Sequence, residues 1–195
     1  MNRQDLIELH YITPIANVPS ILAHGILSHN RAAKVTHSSV AMQEIQDRRA
    51  KAVPGGRPLH DYVNLYLCAR NPMIYKRLDQ HGDLCVLRVS PQVLDIPGAI
   101  VTDRNAAGDY VAFQAAPGGL SIVNKDLTFA DDWRDADQMV YWRKKAAKCA
   151  EVLVPDCVDP CHLLGAYVSC DEANARLEAL GTGLPVTING HMFFR

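Results

Sequence analysis

Residues 141–154 read YWRKKAAKCAEVLV, a basic, helix-favouring segment that runs directly into an apolar, strand-like run. The strand begins with one carboxylate, Glu151, and the next acidic residue is Asp156. An ionised glutamate beside a buried strand is costly unless a cation or hydrogen bonds compensate it, and perturbed acids of this kind cluster at functional sites. Two interpretations are open here: Glu151 is a functional carboxylate, or it marks the exposed edge of a strand.

The composition favours a single soluble domain that spans residues 1–195. Hydrophobic residues make up 48% of the chain and charged residues 21%, which is ordinary for a globular protein of this length. The sequence has no apolar run near the roughly 20 residues of a membrane-spanning helix. The polar N-terminus leads to no signal-peptide core, so we expect a cytoplasmic location and no membrane partner. The net charge of −1 means that any nucleic-acid binding must rest on local patches.

The six cysteines are expected to be reduced in that compartment. Cys157, Cys161, His162 and Cys170 lie close together in sequence, but they contain no Cys-x-x-Cys pair and match no standard zinc module. Buried thiols are therefore favoured over a structural metal, and we predict no metal site.

The order of predicted elements indicates an α+β fold, with helices mainly in the N-terminal half, strands later and few strand–helix–strand repeats. Strands are predicted over residues 6–13, 59–69, 84–90, 99–102, 151–154 and 163–169. Helices are predicted over residues 15–23, 40–50, 71–82 and 171–180, besides the basic segment before Glu151. Residues 103–137 are rich in loop formers and are expected to face substrate. The tail at 183–195 reads as a C-terminal hairpin on the Asn189-Gly190 turn.

Several common catalytic classes are disfavoured by the sequence. It contains no Gly-x-Gly-x-x-Gly after a strand and no Walker-type Gly-Lys-Ser/Thr, which argues against a Rossmann dehydrogenase and a P-loop NTPase. The His-Glu-x-x-His and Gly-x-Ser-x-Gly motifs of zinc proteases and serine hydrolases are also absent.

Three separated features, in order, resemble the NAD-binding motifs of the ADP-ribosyltransferase superfamily. They are the extended segment at Tyr11, the strand 65–69 followed by Tyr75, and the strand that Glu151 begins. The resemblance is closer to the DarT toxins of bacterial toxin–antitoxin systems. It is carried by segments 11–17, 46–49, 60–63, 69–75, 102–106, 141–142 and 148–154, and as a whole it covers about residues 9–180. In the 102–106 segment Arg104 stands where the family has glycine.

The resemblance implies a split, curved β-sheet with NAD as co-substrate in the cleft between its halves. It also implies transfer of ADP-ribose from NAD to a base in single-stranded DNA, with loss of nicotinamide. Glu151 would stabilise the positive charge that develops on the ribose. Arg49 would act near NAD and the target base. Since a guanidinium does not act as a base at its normal pKa, Arg49 would stabilise the deprotonated base.

Six residues are predicted to contact NAD by this resemblance: His10, Tyr11, Thr13, Asn17, Tyr66 and Tyr75. The family commonly has His at the position of Tyr11 and Tyr at that of His10. Contacts from this motif would therefore come from the Tyr11 main chain or from a displaced His10. Tyr66 and Tyr75 would flank the nicotinamide, and the alternative is that both are core aromatics.

Seven cations in two segments are predicted to form a track for DNA phosphates: Arg48, Lys51, Arg57, Arg143, Lys144, Lys145 and Lys148. The alternatives are two ordinary basic surface patches and, for the arginines at 48 and 49, a solvated helix end. Tyr110, Phe113 and Trp133 are further candidates for stacking on a base.

The sequence thus predicts a toxin that ADP-ribosylates a thymine or guanine in single-stranded DNA, works as a monomer and is antagonised by a macrodomain-containing antitoxin. Transfer to RNA or protein, or plain NAD hydrolysis, is the alternative within the superfamily. A non-catalytic nucleic-acid-binding module is the alternative from another class.

Overall fold

The computed structural model describes residues 1–37 and 49–195, so the predicted helix over 40–50 lies largely outside the described residues. The strands are β1 Leu9–Pro14, β2 Ile26–Leu27, β3 Tyr62–Tyr66, β4 Leu84–Val89, β5 Ile100–Thr102, β6 Phe113–Ala115, β7 Glu151–Pro155, β8 Cys157–Val158, β9 Leu163–Val168 and β10 Val186–Ile188. The helices are α1 Val18–His24, α2 His29–Ala32, α3 Pro72–Tyr75, α4 Lys125–Phe129, α5 Gln138–Ala147 and α6 Asp171–Glu178.

Eight of these strands form one sheet in the order β10-β9-β4-β1-β3-β7-β5-β6, and β2 pairs with β8 in a small separate ladder. The predicted α+β class is confirmed, since most neighbouring strands are antiparallel and the helices lie between them in sequence without a regular alternation. Within the described ranges the two longest helices, α5 and α6, lie in the C-terminal half.

The sheet is nearly divided between β1 and β3. These two strands meet only at the pair His10–Tyr66, whereas β1 pairs with β4 at six positions and β3 with β7 at five. Beyond His10 the chain of β1 stays with β4 and ends at Pro14, which has no N–H to donate. The two halves of the sheet therefore diverge from one contact and leave a cleft between β1 and β3.

Burial on both faces of the sheet holds this arrangement together. β4 and β7 are almost wholly buried and read as continuous apolar runs, as strands covered on both faces do. The larger core contains Leu9, Leu65 and Val152 on one face. A smaller cluster on the other face contains Ile12 and Tyr66 and is closed by Phe193 near the C-terminus.

Helix α3 begins as the sequence predicts and ends sooner. The Asn71 side-chain oxygen accepts hydrogen bonds from the backbone N–H groups of Met73 (2.9 Å) and Ile74 (3.3 Å), with Pro72 at the first helical position. The helix ends at Tyr75, and a separate 3₁₀ turn covers Leu78–Gln80.

The predicted C-terminal hairpin is wrong. β10 runs parallel to β9, with Val186 opposite Ala166, and parallel neighbours require a crossover, which α6 supplies. The Asn189 side chain accepts a hydrogen bond from the Met192 N–H at 3.1 Å and begins a 3₁₀ turn, Gly190–Phe193. That turn buries Phe193 completely, so the tail closes the smaller core instead of folding back on itself.

Within residues 1–37 and 49–195, none of the helices has the length and apolar character needed to cross a membrane.

The carboxylate of Glu8, just before β1, ties that strand to β4. Burial alone would raise the pKa of Glu8, but hydrogen bonds with His10, Arg88 and Tyr167 outweigh it and lower the pKa to about 2. The Arg88 Nε donates to Glu8 Oε2 at 2.7 Å, and His10 Nε2 lies 3.2 Å from Glu8 Oε1. The ionised carboxylate therefore stabilises the fold at neutral pH.

We predict that Glu8→Gln lowers the free energy of unfolding by about 2 kcal/mol at pH 7, because charge-assisted hydrogen bonds are lost. Since the folded-state pKa lies below the ordinary value, the difference from wild type shrinks as the pH falls from about 4.5 towards 2. Urea unfolding at pH 7 and pH 3 measures this. Asp109→Asn, at an exposed position, is the control and should shift stability by less than about 0.5 kcal/mol. A loss that is independent of pH would contradict the prediction.

Candidate active site

A pocket of about 280 Å³ lies where the sheet divides. Its walls come from both halves of the sheet: Tyr11 and Thr13 belong to β1, while Asn64 and Tyr66 belong to β3. Arg49 also lines it. The pocket thus opens where β1 diverges from β3. Residues of these two strands, which would pair in a continuous sheet, line its walls.

Glu151 lies in the interior of the sheet beside this pocket. It is the first residue of β7, directly opposite Tyr66 on β3 and Thr102 on β5. Its side chain is completely buried, and its backbone N–H donates to the Thr102 hydroxyl at 3.2 Å. The interpretation of Glu151 as an exposed strand edge is therefore wrong.

The buried carboxylate is compensated by Arg49. The guanidinium Nη1 donates to Glu151 Oε2 at 3.3 Å, and both side chains are buried. Burial raises the pKa of Glu151, whereas the charge and hydrogen bond of Arg49 oppose that rise. Among residues 1–37 and 49–195, Glu151 Oε1 and Arg49 Nη2 are buried without a hydrogen-bond partner. Arg49 lines the pocket whereas Glu151 does not, so the structure places the guanidinium of the pair at the pocket and the carboxylate beside it.

A row of directly opposite residues connects this pair to the point where the sheet divides. His10, Tyr66, Glu151 and Thr102 occupy matching positions on β1, β3, β7 and β5. Residues directly opposite each other share a face of the sheet. Burial, followed by the negative charge of Glu151, raises the pKa of Tyr66 well above its usual value of 10. Tyr66 is therefore a neutral phenol at physiological pH.

Comparison with known proteins gives a consistent family assignment. A family model described as "ssDNA thymidine ADP-ribosyltransferase, DarT" matches residues 10–194. This chain belongs to the DarT family.

Two curated relatives support the assignment. A DNA ADP-ribosyl transferase–DNA ADP-ribosyl glycohydrolase fusion protein of Thermosipho africanus is 33% identical over 96% of this chain. The match covers 49% of that protein, so this chain spans about half its length. A DNA ADP-ribosyl transferase of Thermus aquaticus is 34% identical over 76% of this chain and 68% of its own length.

Solved DarT structures share the fold. Thermosipho africanus DarTG in complex with ADP-ribose superposes with a TM-score of 0.82 at 31% identity, over 96% of this chain and 51% of that one. Thermus sp. 2.9 DarT in complex with ADP-ribosylated single-stranded DNA gives a TM-score of 0.83 at 23% identity, over 98% of both chains.

The structure brings four of the six predicted DarT-type NAD contacts to the pocket: Tyr11, Thr13, Asn17 and Tyr66. The Asn17 amide donates to the Thr13 hydroxyl at 3.2 Å, which orients both side chains.

The other two predicted contacts lie elsewhere. His10 does not line the pocket, since its ring lies against Glu8. Tyr75 is about half exposed, and its ring makes edge contacts with Trp133 and Phe194 at centroid distances of 5.6 and 5.2 Å. The neighbours Lys76 and Arg77 reach the pocket in its place.

The predicted DNA cations are in different environments. The prediction for Lys148 is wrong, because its side chain is 0% exposed and donates to the Ala130 carbonyl at 2.6 Å and to Cys68 Sγ at 3.1 Å. Arg57 pairs with Asp156 at 2.8 Å, and Lys144 with Asp135 at 2.7 Å.

The remaining cations differ in their distance from the pocket and in their exposure. Lys145 lines the pocket and Arg143 is exposed on α5. Lys51 donates to the Gly108 carbonyl at 2.9 Å. Arg48 lies outside the described residues.

Sequence reasoning missed several pocket residues. His29 and Asn64 line the pocket without any motif to mark them. Asn105 also lines it and belongs to the 102–106 segment, in which the sequence indicated only Arg104 as unusual. The rings of His29 and His60 lie 4.5 Å apart, and burial, followed by the charge of His60, lowers the pKa of His29.

Two remaining predictions concern aromatic side chains and a metal. Of the three stacking candidates, Trp133 is 6% exposed and Phe113 packs against a core cluster, while Tyr110 is fully exposed. Within the two described ranges, no group of three or more His, Cys, Asp or Glu residues is arranged to hold a metal ion.

We predict that Arg49→Ala destabilises the fold by about 3–5 kcal/mol at pH 7, because it leaves a buried carboxylate without its cation. The pKa of Glu151 would rise further, so the penalty should shrink as the pH falls and the carboxyl binds a proton. Thermal and urea unfolding of Arg49→Ala, Glu151→Gln and the double variant measure it. The double variant should recover most of the loss, and strictly additive effects would contradict the coupling.

Proposed function

We propose that this protein transfers ADP-ribose from NAD to a thymidine base in single-stranded DNA and releases nicotinamide. The observation that carries the proposal is the buried Glu151–Arg49 pair beside the pocket at the division of the sheet. The family description supplies the acceptor and the base. Related structures in complex with ADP-ribose and with ADP-ribosylated single-stranded DNA agree with it.

The residues present fit NAD as a co-substrate. Glu151 Oε1, which is buried without a hydrogen-bond partner, is an acceptor of the kind that a ribose hydroxyl requires. Tyr11, Thr13, Asn17 and Tyr66 form the proposed NAD-binding set, and His10 and Tyr75 are left out of it because they lie outside the pocket. NAD supplies an electrophilic ribose carbon and a good leaving group.

Glu151 stabilises the transition state in this proposal. The glycosidic bond breaks as positive charge develops on the ribose, and a fixed carboxylate in a buried site interacts strongly with that charge. Since Glu151 is held by the sheet on both sides, it needs no reorganisation at the moment of reaction. The charge and hydrogen bond of Arg49 oppose the rise in the pKa of Glu151 that burial causes, and so favour the ionised carboxylate.

Arg49 has a second role toward the acceptor base. Its Nη1 holds Glu151, so Nη2 is left to donate to the base. A guanidinium there stabilises the base anion that attacks the ribose carbon. Since the guanidinium does not accept the proton of the base, that proton goes to water, and nicotinamide leaves as a neutral molecule with the electrons of the broken glycosidic bond. Tyr66, a neutral phenol beside Glu151, gives an aromatic surface and a hydroxyl donor for the nicotinamide end.

The wider assignments are also proposals. A single domain over residues 1–195 is supported by the one main sheet, which takes strands from both ends of the chain. The Thermosipho relative joins the transferase to a glycohydrolase, and we infer that a macrodomain-containing antitoxin opposes this protein as part of a toxin–antitoxin system. We further propose a monomer that acts in the cytoplasm.

The proposal predicts that labelled NAD transfers its label to a thymidine-containing single strand. Glu151→Gln should reduce the transfer by about 10²–10³-fold or more, because transition-state stabilisation is lost while the shape is kept. Incubation with single-stranded DNA, with RNA or without an acceptor, followed by mass spectrometry of the oligonucleotide, measures the product. Asp109→Asn, at an exposed site, should keep wild-type activity.

The same assay separates the alternatives. Nicotinamide release without an adduct would replace the proposal with an NAD hydrolase, and label on RNA or protein would change the acceptor. A protein that binds nucleic acid but leaves NAD intact would be a binding module.

A further inference from the structure

Helix α5 carries an exposed surface that neither the pocket nor the core explains. Every residue of this fully described helix is at least partly exposed. Met139 is 71% and Trp142 58% exposed, which is unusual for side chains of this size. Residues three and four apart lie on one helix face, so Met139, Trp142 and Arg143 form a single patch. We call these three residues the α5 patch.

The α5 patch is continuous with the pocket. Lys145 follows one turn after Tyr141, donates to its hydroxyl at 3.1 Å and also lines the pocket. Trp142 lies between the Lys145 side of the helix and Met139, at about 100° per residue around the axis. A strand whose target base is in the pocket would therefore pass Lys145 and meet Trp142 next.

We propose that the α5 patch binds the nucleotides that flank the target base, with Trp142 stacking on a base of the single strand. Exposed aromatic rings next to cations are the usual means of binding single strands without reading their sequence. This inference rests on the proposed function, because it takes single-stranded DNA as the occupant. It assigns to Trp142 the stacking on a base, which the cations alone do not provide.

The charges along α5 favour one path for the backbone of the bound DNA strand. Asp137 caps the N-terminal end of the helix, where its carboxylate accepts hydrogen bonds from the N–H groups of Met139 and Val140. Asp135 pairs with Lys144 at 2.7 Å and so removes that cation from the phosphate track. Phosphates are repelled from the N-terminal end and attracted to Arg143 and Lys145, so the backbone follows the C-terminal half while bases lie toward Trp142.

The test uses the two tryptophans of the chain as separate reporters. Trp133 is 6% exposed and lies edge-on to Tyr75 and Phe194, so its emission should be insensitive to DNA. In a Glu151→Gln background without NAD, a 12-nucleotide single strand that contains thymidine should quench the fluorescence. Trp142→Phe should abolish the quench, and the same sequence as a duplex should give little.

Affinity provides the second measurement. Trp142→Ala should weaken single-strand binding by about 5- to 150-fold, and Trp142→Phe should restore most of it, because a phenyl ring also stacks. Arg143→Gln should reduce the slope of log Kd against log salt by about 0.7. Ile7→Ala is the matched control, because Ile7 is 84% exposed and distant in sequence from α5. The affinity of this variant for the single strand should equal that of the wild type. Unchanged melting temperatures would show that the α5 variants are folded.

The outcomes distinguish this inference from the proposed function. Wild-type protein that labels DNA, together with unchanged affinity and quenching in the Trp142 variants, would overturn the α5 patch alone. Equal quenching by duplex would also overturn it. Quenching and weakened binding in a protein that never transfers ADP-ribose would support the α5 patch and overturn the proposed activity.

Discussion

One buried carboxylate constrains the centre of this protein. Glu151 lies inside an eight-stranded sheet between Tyr66 and Thr102, where an uncompensated negative charge would cost several kcal/mol. Arg49 is held at 3.3 Å by that charge, and the segment that carries Arg49 is further tied to the 102–108 turn by the hydrogen bond from Lys51 to Gly108. The ion pair is weak support for stability in itself, because desolvation offsets its attraction. Its value lies in fixing a carboxylate and a guanidinium with one unsatisfied atom each.

The second constraint is the single pair that joins the two halves of the sheet. If β1 and β3 paired along their full length, the ladder would cover the strand edges that now line the pocket. If they did not pair at all, Tyr66 would have no partner on β1. The single pair His10–Tyr66 aligns the row of side chains across the sheet and still leaves the pocket open between β1 and β3. The unusual order of His10 and Tyr11 fits this geometry, because His10 pairs with Glu8 outside the pocket while Tyr11 lines it. The resemblance alone left these two roles undecided.

The sequence predicted the α+β class and most strands, because both depend on local patterns, whereas Glu151 was singled out by the family resemblance. The Asn71-Pro72 start of α3 is read directly from capping chemistry. The hairpin at Asn189-Gly190 failed, since the burial of Phe193 and the pairing of β10 with β9 are long-range interactions that outweigh a local turn signal. Tyr75 failed as a pocket residue for a related reason: its helix ends after one turn, so the ring meets Trp133 and Phe194. His29 and Asn64 could not be found, because only the division of the sheet brings them to the site.

The segment 141–154 shows why charge in a sequence is a poor guide to binding. Lys148 and Arg143 look alike in the printed chain, yet Lys148 is fully buried and joins three segments through Cys68, Ala130 and its own helix, while Arg143 is exposed. The sequence did not predict Trp142 as a DNA contact, because an exposed tryptophan cannot be distinguished from a buried one by its neighbours in the sequence. Over 14 residues the chain passes from the exposed α5 patch, through a buried lysine, to the carboxylate in the sheet. A DNA strand bound along α5 would therefore lie on the helix that leads, through Lys148, directly into the β-strand that Glu151 begins.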